Sequence, residues 1–162
     1  MVELIFRELV HPDDITTVGA ILSATGFFNR EEQEVGISLV EEHLHKGTAS
    51  GYLFLFAEER DKIQGYTCYG PIPGTLNGFD LYWIAVEPTC WHRGIGRILL
   101  AETEKRVLAL GGLRLYAETA SNPQYKPTRD FYERNGFSLE GRLADYYAPH
   151  DDKMLYVKHL NT

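Results

Sequence analysis

The sequence predicts an α/β protein with a single mixed sheet of about seven strands flanked by helices. Two observations carry this prediction. Short apolar runs bounded by turn residues alternate with segments whose apolar residues recur every three or four positions. One of the runs, Phe79–Val86, leads through a turn with two glycines into a helical segment that ends near Leu110. Strands that alternate with helices in this way indicate a sheet that is at least partly parallel.

The first third of the chain predicts one strand and two helices. Val2–Leu9 is predicted as the first strand. Asp13 and Asp14 supply the acidic residues that the first turn of a helix favours. A second helix is predicted over Arg30–His45, and Gly47 ends it. The apolar positions at helical spacing are Ile15, Val18, Ile21 and Leu22 in the first helix, and Val35, Leu39 and Leu44 in the second.

The middle third predicts a hairpin and the strand that precedes the glycine turn. Tyr52–Ala57 and Lys62–Tyr69 are two apolar runs joined by a short polar turn, which is typical of a hairpin. Gly70–Gly74 is rich in glycine and proline and is predicted to be a loop. Phe79–Val86 is the next strand, and the helix after the glycine turn continues over Ala101–Leu110.

The last third predicts a strand, a short helix and a closing pair of strands. Leu113–Thr119 is predicted as a strand, and Thr128–Arg134 as a short helix that begins after a proline. The final strands are predicted at Phe137–Leu143 and Met154–Leu160. The loop between them is predicted at Ala148–Asp152, where turn-forming residues are concentrated.

Length and charge limit the class of protein. With 162 residues, 44% of them hydrophobic, the chain is expected to form one domain over residues 1–162 with a substantial core. It has neither a leader pattern nor a run of about 20 apolar residues, so we expect a cytoplasmic protein without a membrane partner. The net charge of −7 argues against a nucleic-acid surface and is compatible with a cationic substrate such as an amine, although solubility alone would explain it. Cys68 and Cys90 fit neither a disulfide framework nor a zinc pattern, so no metal is predicted.

The turn Trp91-His92-Arg93-Gly94-Ile95-Gly96-Arg97 is the strongest candidate for a binding site. Its glycines allow the backbone to approach a ligand, and the first amides of the following helix have no partner within that helix. Together with the helix dipole, these amides favour an anion such as a pyrophosphate, and Arg93 and Arg97 add positive charge. Leu99 stands where a dinucleotide fingerprint requires a third glycine, and no Gly-Lys-Ser/Thr ending of a nucleotide-binding P-loop occurs.

The order of elements and two motifs resemble the GNAT superfamily of acetyl-CoA-dependent N-acetyltransferases. Trp91–Gly96 is similar to the family pattern Gln/Arg-x-x-Gly-x-Gly/Ala, with Trp91 departing from the usual first residue. Asp130–Phe137 is similar to the late Phe/Leu-Tyr-x-x-x-Gly-Phe signature of the family. The resemblance covers nearly the whole chain and implies acetyl-CoA as the acetyl donor. The cofactor-binding residues that it implies are Ile84, Ala85, Val86, Trp91, His92, Arg93, Gly94, Ile95, Gly96, Arg97, Asn122 and Tyr132.

The resemblance divides these residues by role. Backbone amides of the turn hold the pyrophosphate, and main-chain groups of Ile84 and Val86 bind the thioester oxygen as negative charge develops on it. Asn122 contacts the pantetheine arm. An asparagine followed by a proline is also common in turns, so a purely turn-forming role is the alternative interpretation of Asn122.

Proton transfer requires an acid and a base. A phenol with an ordinary pKa of about 10 can donate a proton to a leaving thiolate, and the resemblance implies this role for Tyr132. The alternative is an aromatic side chain packed beside Phe131 and Phe137. An amine is protonated at neutral pH, so a base must remove a proton before the amine attacks. Glu118, whose side chain could face either side of its strand, is slightly favoured over Asp80. A water-relayed proton is the third option, and a solvated strand-end charge explains either carboxylate equally well.

The acceptor site implied by the resemblance lies among the first helices, the loop between them and the last hairpin. The substrate-binding residues are Phe27, Phe28, Tyr146 and Tyr147. Their surroundings suit a small or peptide-terminal amine, although hairpin packing is the alternative. The expected reaction is direct attack of a primary amine on acetyl-CoA in a ternary complex. A homodimer through the last strands is common in the family. The competing function is a non-catalytic acyl-CoA-binding or regulatory module that keeps the fold.

Overall fold

The computed structural model describes residues 3–160, and its elements follow the predicted order. Val2, which the predicted first strand includes, lies outside the described residues. None of the helices in the described range is both long and apolar enough to cross a membrane. The strands are β1 (Ile5–Arg7), β2 (Leu53–Glu59), β3 (Lys62–Pro71), β4 (Gly78–Val86), β5 (Arg114–Ala120), β6 (Ser138–Ala148) and β7 (Asp151–His159). The helices are α1 (Asp14–Thr25), α2 (Arg30–Lys46), α3 (Ile95–Ala109) and α4 (Lys126–Arg134).

The seven strands of residues 3–160 form one sheet in the order β1-β2-β3-β4-β5-β7-β6. β4 and β5 are parallel, with Gly78–Asp80 opposite Arg114–Tyr116. The hairpins β2–β3 and β6–β7 are antiparallel, and so is the pairing of β5 with β7. The predicted class, a single mixed sheet with flanking helices, is therefore confirmed.

The chain forms two compact units. The first comprises the residues up to Gly70 together with Trp83–Thr103, and the second comprises Pro71–Tyr82 together with the residues from Glu104 onward. The expectation of a single domain stays a prediction.

A buried ion pair joins β1 to α1 in the first unit. Both terminal nitrogens of Arg7 donate to the carboxylate of Asp14, at 2.8 and 2.9 Å, and its Nε donates to Glu58 at 2.7 Å. The main-chain N–H of His11 also donates to Asp14, which is only 3% exposed. Charge on both partners and complete hydrogen bonding are the conditions under which a buried pair is tolerated. Asp14 therefore serves the fold at the start of α1.

The apolar stripe predicted for α2 is wrong at two of its three positions. Val35 is 49% exposed and Leu44 is 36% exposed, whereas the buried residues of this helix are Gly36 and Val40. A Cβ at position 36 would lie 2.5 Å from Leu22 Cδ1. The absence of a side chain at Gly36 therefore allows α1 to pack closely against α2. Glycine carries no hydrophobic signal, and helical spacing alone therefore selects the neighbouring position.

The closing hairpin of the second unit is longer than predicted. β6 runs to Ala148 and β7 begins at Asp151, so the connection is shorter than the loop expected at Ala148–Asp152. The register slips between Leu143 and Ala148, which indicates a bulge in β6. Tyr146 and Tyr147 consequently lie on a strand.

Substituting Gly112 by alanine is expected to destabilise the second unit. A Cβ there would lie 2.3 Å from Val107 Cγ1 and 2.6 Å from Phe79 Cδ1, both in the core. Overpacking of this kind costs about 1–3 kcal/mol, which urea unfolding would measure. Gly111→Asn is the matched control: its site is open, and asparagine tolerates the left-handed backbone at φ +90°. An equal loss of stability in both variants would contradict the packing explanation.

Candidate active site

The glycine turn of the first unit has the backbone of an anion site. His92 and Gly94 both adopt left-handed conformations, with φ of +67° and +77°. The carbonyl of Gly94 accepts the N–H of Ile98 at 3.1 Å, so the helix begins here. Ile95 is buried and anchors that first turn, whereas His92, Arg93 and Gly94 are exposed. The N–H groups at the start of α3 are therefore presented beside a backbone that is open to a ligand.

Arg93 braces this turn. Its Nη2 donates to Glu59 Oε2 at 2.8 Å, and its Nη1 lies 3.7 Å from Cys90 Sγ. Cys90 in turn donates to Gln64 Oε1 at 2.7 Å. The hydrogen bond to Glu59 is the main factor that raises the pKa of Arg93. The guanidinium of Arg93 is thus paired with a carboxylate at the end of β2, while Arg97 is exposed.

Trp91 connects the turn to β4 and to a predicted acceptor residue. Its Nε1 donates to the carbonyl of Val86 at 2.8 Å, and its ring lies 5.9 Å from that of Phe27. Phe28 lies 5.2 Å, centroid to centroid, from Trp83. Trp83 is not one of the predicted site residues. Its indole nitrogen is buried and has no hydrogen-bond partner among the described residues.

The main chain at Ile84–Val86 is approached closely by β3. A Cβ at Gly65 would lie 2.9 Å from the carbonyl oxygen of Ala85 and 3.3 Å from Val86 Cα. Glycine at position 65 therefore allows this contact between backbones. The three predicted cofactor-binding residues of β4 lie at this contact within the first unit.

The second unit brings both predicted carboxylates to one face of the sheet. Asp80 pairs with Tyr116 across β4–β5, and Glu118 lies two residues further along β5. Glu118 Oε2 is 2.9 Å from the ammonium of Lys153 on β7. Burial raises the pKa of Asp80 to about 6, the charge of Glu118 acts in the same direction, and Lys153 acts in the opposite one. Asp80 is therefore a base poised near neutral pH, whereas Glu118 is held in an ion pair.

The two tyrosines of the hairpin join this cluster. Lys153 Nζ lies 4.5 Å from the ring centroid of Tyr146, and the rings of Tyr146 and Tyr147 are 5.0 Å apart, edge to face. Asp152 builds the bulge that presents them, because its carboxylate accepts the N–H of Asp145 at 2.8 Å and pairs with Arg142. The backbone hydrogen bond from Asp145 is the main cause of the lowered pKa of Asp152.

Tyr132 lies on the other side of the sheet in this unit. Its ring is 5.2 Å from that of Phe137 and 5.8 Å from that of Tyr156. Tyr156 pairs with Ala117, the neighbour of Glu118, and alternation along β5 places these two residues on opposite faces. Burial raises the pKa of Tyr132 well above its ordinary value, so the phenol stays protonated.

Asn122 is engaged at both ends of its side chain. Its Nδ2 donates to Asp151 Oδ2 at 2.9 Å, and its Oδ1 accepts the N–H of Gln124 at 3.0 Å. These contacts make Asn122 the cap of a short 3-10 helix, Pro123–Tyr125. The turn-forming interpretation is thus visible in the structure, and the pantetheine contact stays a prediction.

Comparison with known proteins identifies the family. The family model of the GNAT acetyltransferases matches residues 18–137. A protein from Desulfovibrio desulfuricans assigned to the GNAT family superposes with a TM-score of 0.96 and 48% identity, covering 98% of this chain and 100% of the other. No curated protein matches the sequence significantly. The chain belongs to the GNAT acetyltransferase family.

More distant structures share the fold. An aminoglycoside 6'-N-acetyltransferase complexed with coenzyme A superposes with a TM-score of 0.78 at 21% identity, over 98% of each chain. The ribosomal-protein-S18-alanine N-acetyltransferase from Escherichia coli also gives a TM-score of 0.78, at 18% identity, over 99% of this chain and 96% of the other.

Proposed function

We propose that this protein transfers the acetyl group of acetyl-CoA to a primary amine by direct attack in a ternary complex. The observation that carries the proposal is the exposed turn with left-handed His92 and Gly94 at the start of α3, in a chain that belongs to an acetyltransferase family. The coenzyme A bound to the aminoglycoside 6'-N-acetyltransferase of the same fold supports the choice of donor. In this proposal, backbone amides of the turn hold the pyrophosphate.

The second unit supplies the base of the proposed reaction from one face of the sheet and the acid from the other. Asp80 removes the proton of the acceptor ammonium, because its pKa of about 6 leaves it ionised yet basic at neutral pH. This choice reverses the slight preference of the sequence for Glu118, whose carboxylate is already paired with Lys153. Tyr132 donates to the departing thiolate. Since its phenolate is disfavoured by burial, a hydrogen bond to the developing thiolate precedes full proton transfer.

The direct test of the function is an acceptor panel. Amines, polyamines, amino acids and peptides are incubated with acetyl-CoA and the protein, and release of the CoA thiol is followed. We expect release above the protein-free rate with at least one acceptor, and mass spectrometry of that acceptor should show one added acetyl group. Tight binding of acetyl-CoA without release for any acceptor would favour the non-catalytic binding module.

A substitution pair at Gly94 tests the pyrophosphate site. Asparagine and aspartate have nearly the same shape and tolerate the left-handed backbone, but only aspartate adds a negative charge. We expect Gly94→Asp to weaken acetyl-CoA binding about tenfold or more relative to Gly94→Asn, because the charge would face the phosphates. Isothermal titration calorimetry measures both dissociation constants. Equal affinities for the two variants would place the pyrophosphate elsewhere.

A further inference from the structure

Lys153 is itself the cation in an arrangement of side chains of the second unit that suits an ammonium group. Its ammonium lies 2.9 Å from Glu118 Oε2 and 4.5 Å from the ring centroid of Tyr146. A carboxylate and the face of an aromatic ring are the two groups that commonly bind an ammonium ion in proteins. Only 15% of the Lys153 side chain is exposed, so the ammonium is held in place there.

Lys153 neutralises part of the negative charge of this cluster. Asp80 and Glu118 carry two negative charges when both are ionised, and Lys153 carries one positive charge. Tyr146 and Tyr147 supply the aromatic rings of the cluster. An acceptor with a second ammonium group would find Glu118 and Tyr146 already occupied by a like charge. An acceptor with a carboxylate or a neutral group would meet no such repulsion.

We propose that Lys153 is a specificity-determining residue that selects monoamine acceptors whose remaining substituent is neutral or acidic, and rejects polycationic amines. This inference rests on the proposed function. The net charge of −7 would by itself attract polycations. A fixed cation beside the base opposes that attraction locally, and repulsion of the wrong ligand is a common source of specificity. Aminoglycosides are polycationic, so the proposal sets this chain apart from the aminoglycoside 6'-N-acetyltransferase of the same fold.

Three acceptors of equal length test the proposal: 1,4-diaminobutane, butylamine and 4-aminobutanoate. Their kcat/KM values are measured with the wild type, Lys153→Met and Lys153→Arg, and their dissociation constants are measured with CoA present. For the wild type we expect diaminobutane to be about tenfold or more worse than aminobutanoate. Lys153→Met should shrink this ratio about tenfold or invert it, through KM, and Lys153→Arg should retain it.

Lys158→Met is the matched control. Lys158 lies on the same strand and pairs with Glu104 at 2.8 Å, but it faces the other side of the sheet. Lys158→Met should leave the ratio of kcat/KM between aminobutanoate and diaminobutane unchanged. This control shows whether the effect requires the loss of the Lys153–Glu118 pair or follows from the loss of any salt bridge on this strand. The proposal is overturned if Lys153→Met keeps the wild-type ratio, if the wild type prefers diaminobutane, or if none of the amines binds. Binding in the expected order without thiol release would refute the proposed function and support the selectivity.

Discussion

Replacing Asp80 by asparagine is expected to lower kcat/KM for acetyl transfer by about 10²–10⁴-fold, the usual contribution of a general base. The acid limb of the pH–rate profile should disappear with it. In the wild type, the carboxylate must be ionised to accept a proton. The rate therefore rises as the pH increases through about 6, the pKa to which burial raises this group, and levels off above it. Steady-state kinetics between pH 4.5 and 8 would measure both effects.

Substitutions of two neighbours of Asp80 should shift the midpoint of the acid limb in opposite directions. Glu118→Gln removes a negative charge that raises the pKa of Asp80, so the midpoint should fall below that of the wild type. Lys153→Met removes a positive charge that lowers it, so the midpoint should rise. If Glu118 were the base instead, Glu118→Gln would abolish the activity and Asp80→Asn would retain it. The pair of profiles thus distinguishes the two carboxylates.

Stability gives a second readout for Asp80. Its pKa is raised in the folded protein, so the proton stabilises the folded state at low pH, and this stabilisation is lost as the pH rises through about 6. Asparagine imitates the protonated form at every pH. We therefore expect Asp80→Asn to raise the melting temperature at pH 7.5 but not at pH 4. A residue whose removal stabilises the fold and costs activity is retained for function.

Local features of this chain could be predicted from its sequence. The glycine turn, the start of α2 at Arg30 and the break after α3 each depend on a few consecutive residues. The order of strands and helices follows in the same way, because apolar spacing distinguishes the two. The burial of Gly36 could not be predicted, since it depends on how closely another helix approaches.

The candidate site was only partly predictable because its side chains meet across the sheet. The proposed role of Lys153 depends on its ion pair with Glu118 on another strand, and no sequence spacing predicts that contact. Tyr146 and Tyr147 were predicted near the acceptor, but their place on a bulged strand depends on the buried carboxylate of Asp152. The closing loop was predicted too long because Asp151 and Asp152 are turn formers by composition, whereas here they begin a strand.

Replacing Tyr132 by phenylalanine should lower kcat by about 10²-fold or more while leaving KM for acetyl-CoA and the fold unchanged. The ring is 5% exposed and packs against Phe131, Phe137 and Tyr156, and phenylalanine preserves all three ring contacts. In the proposed reaction, the substitution removes only the proton for the departing thiolate. Thiol release at saturating substrates measures kcat, and thermal unfolding reports the fold.

Tyr156→Phe is the matched control, because it removes a different phenol hydroxyl from the same cluster of rings. Tyr156 belongs to the same ring cluster, and its hydroxyl donates to Glu133 Oε1 at 3.3 Å. Its loss should cost about 1 kcal/mol of stability or less, the worth of one such hydrogen bond, with little change in kcat. An equal fall in kcat for both variants would trace the effect to packing. An unchanged kcat in Tyr132→Phe would leave the thiolate to be protonated by water, and Tyr132 would then be a core residue beside Phe137.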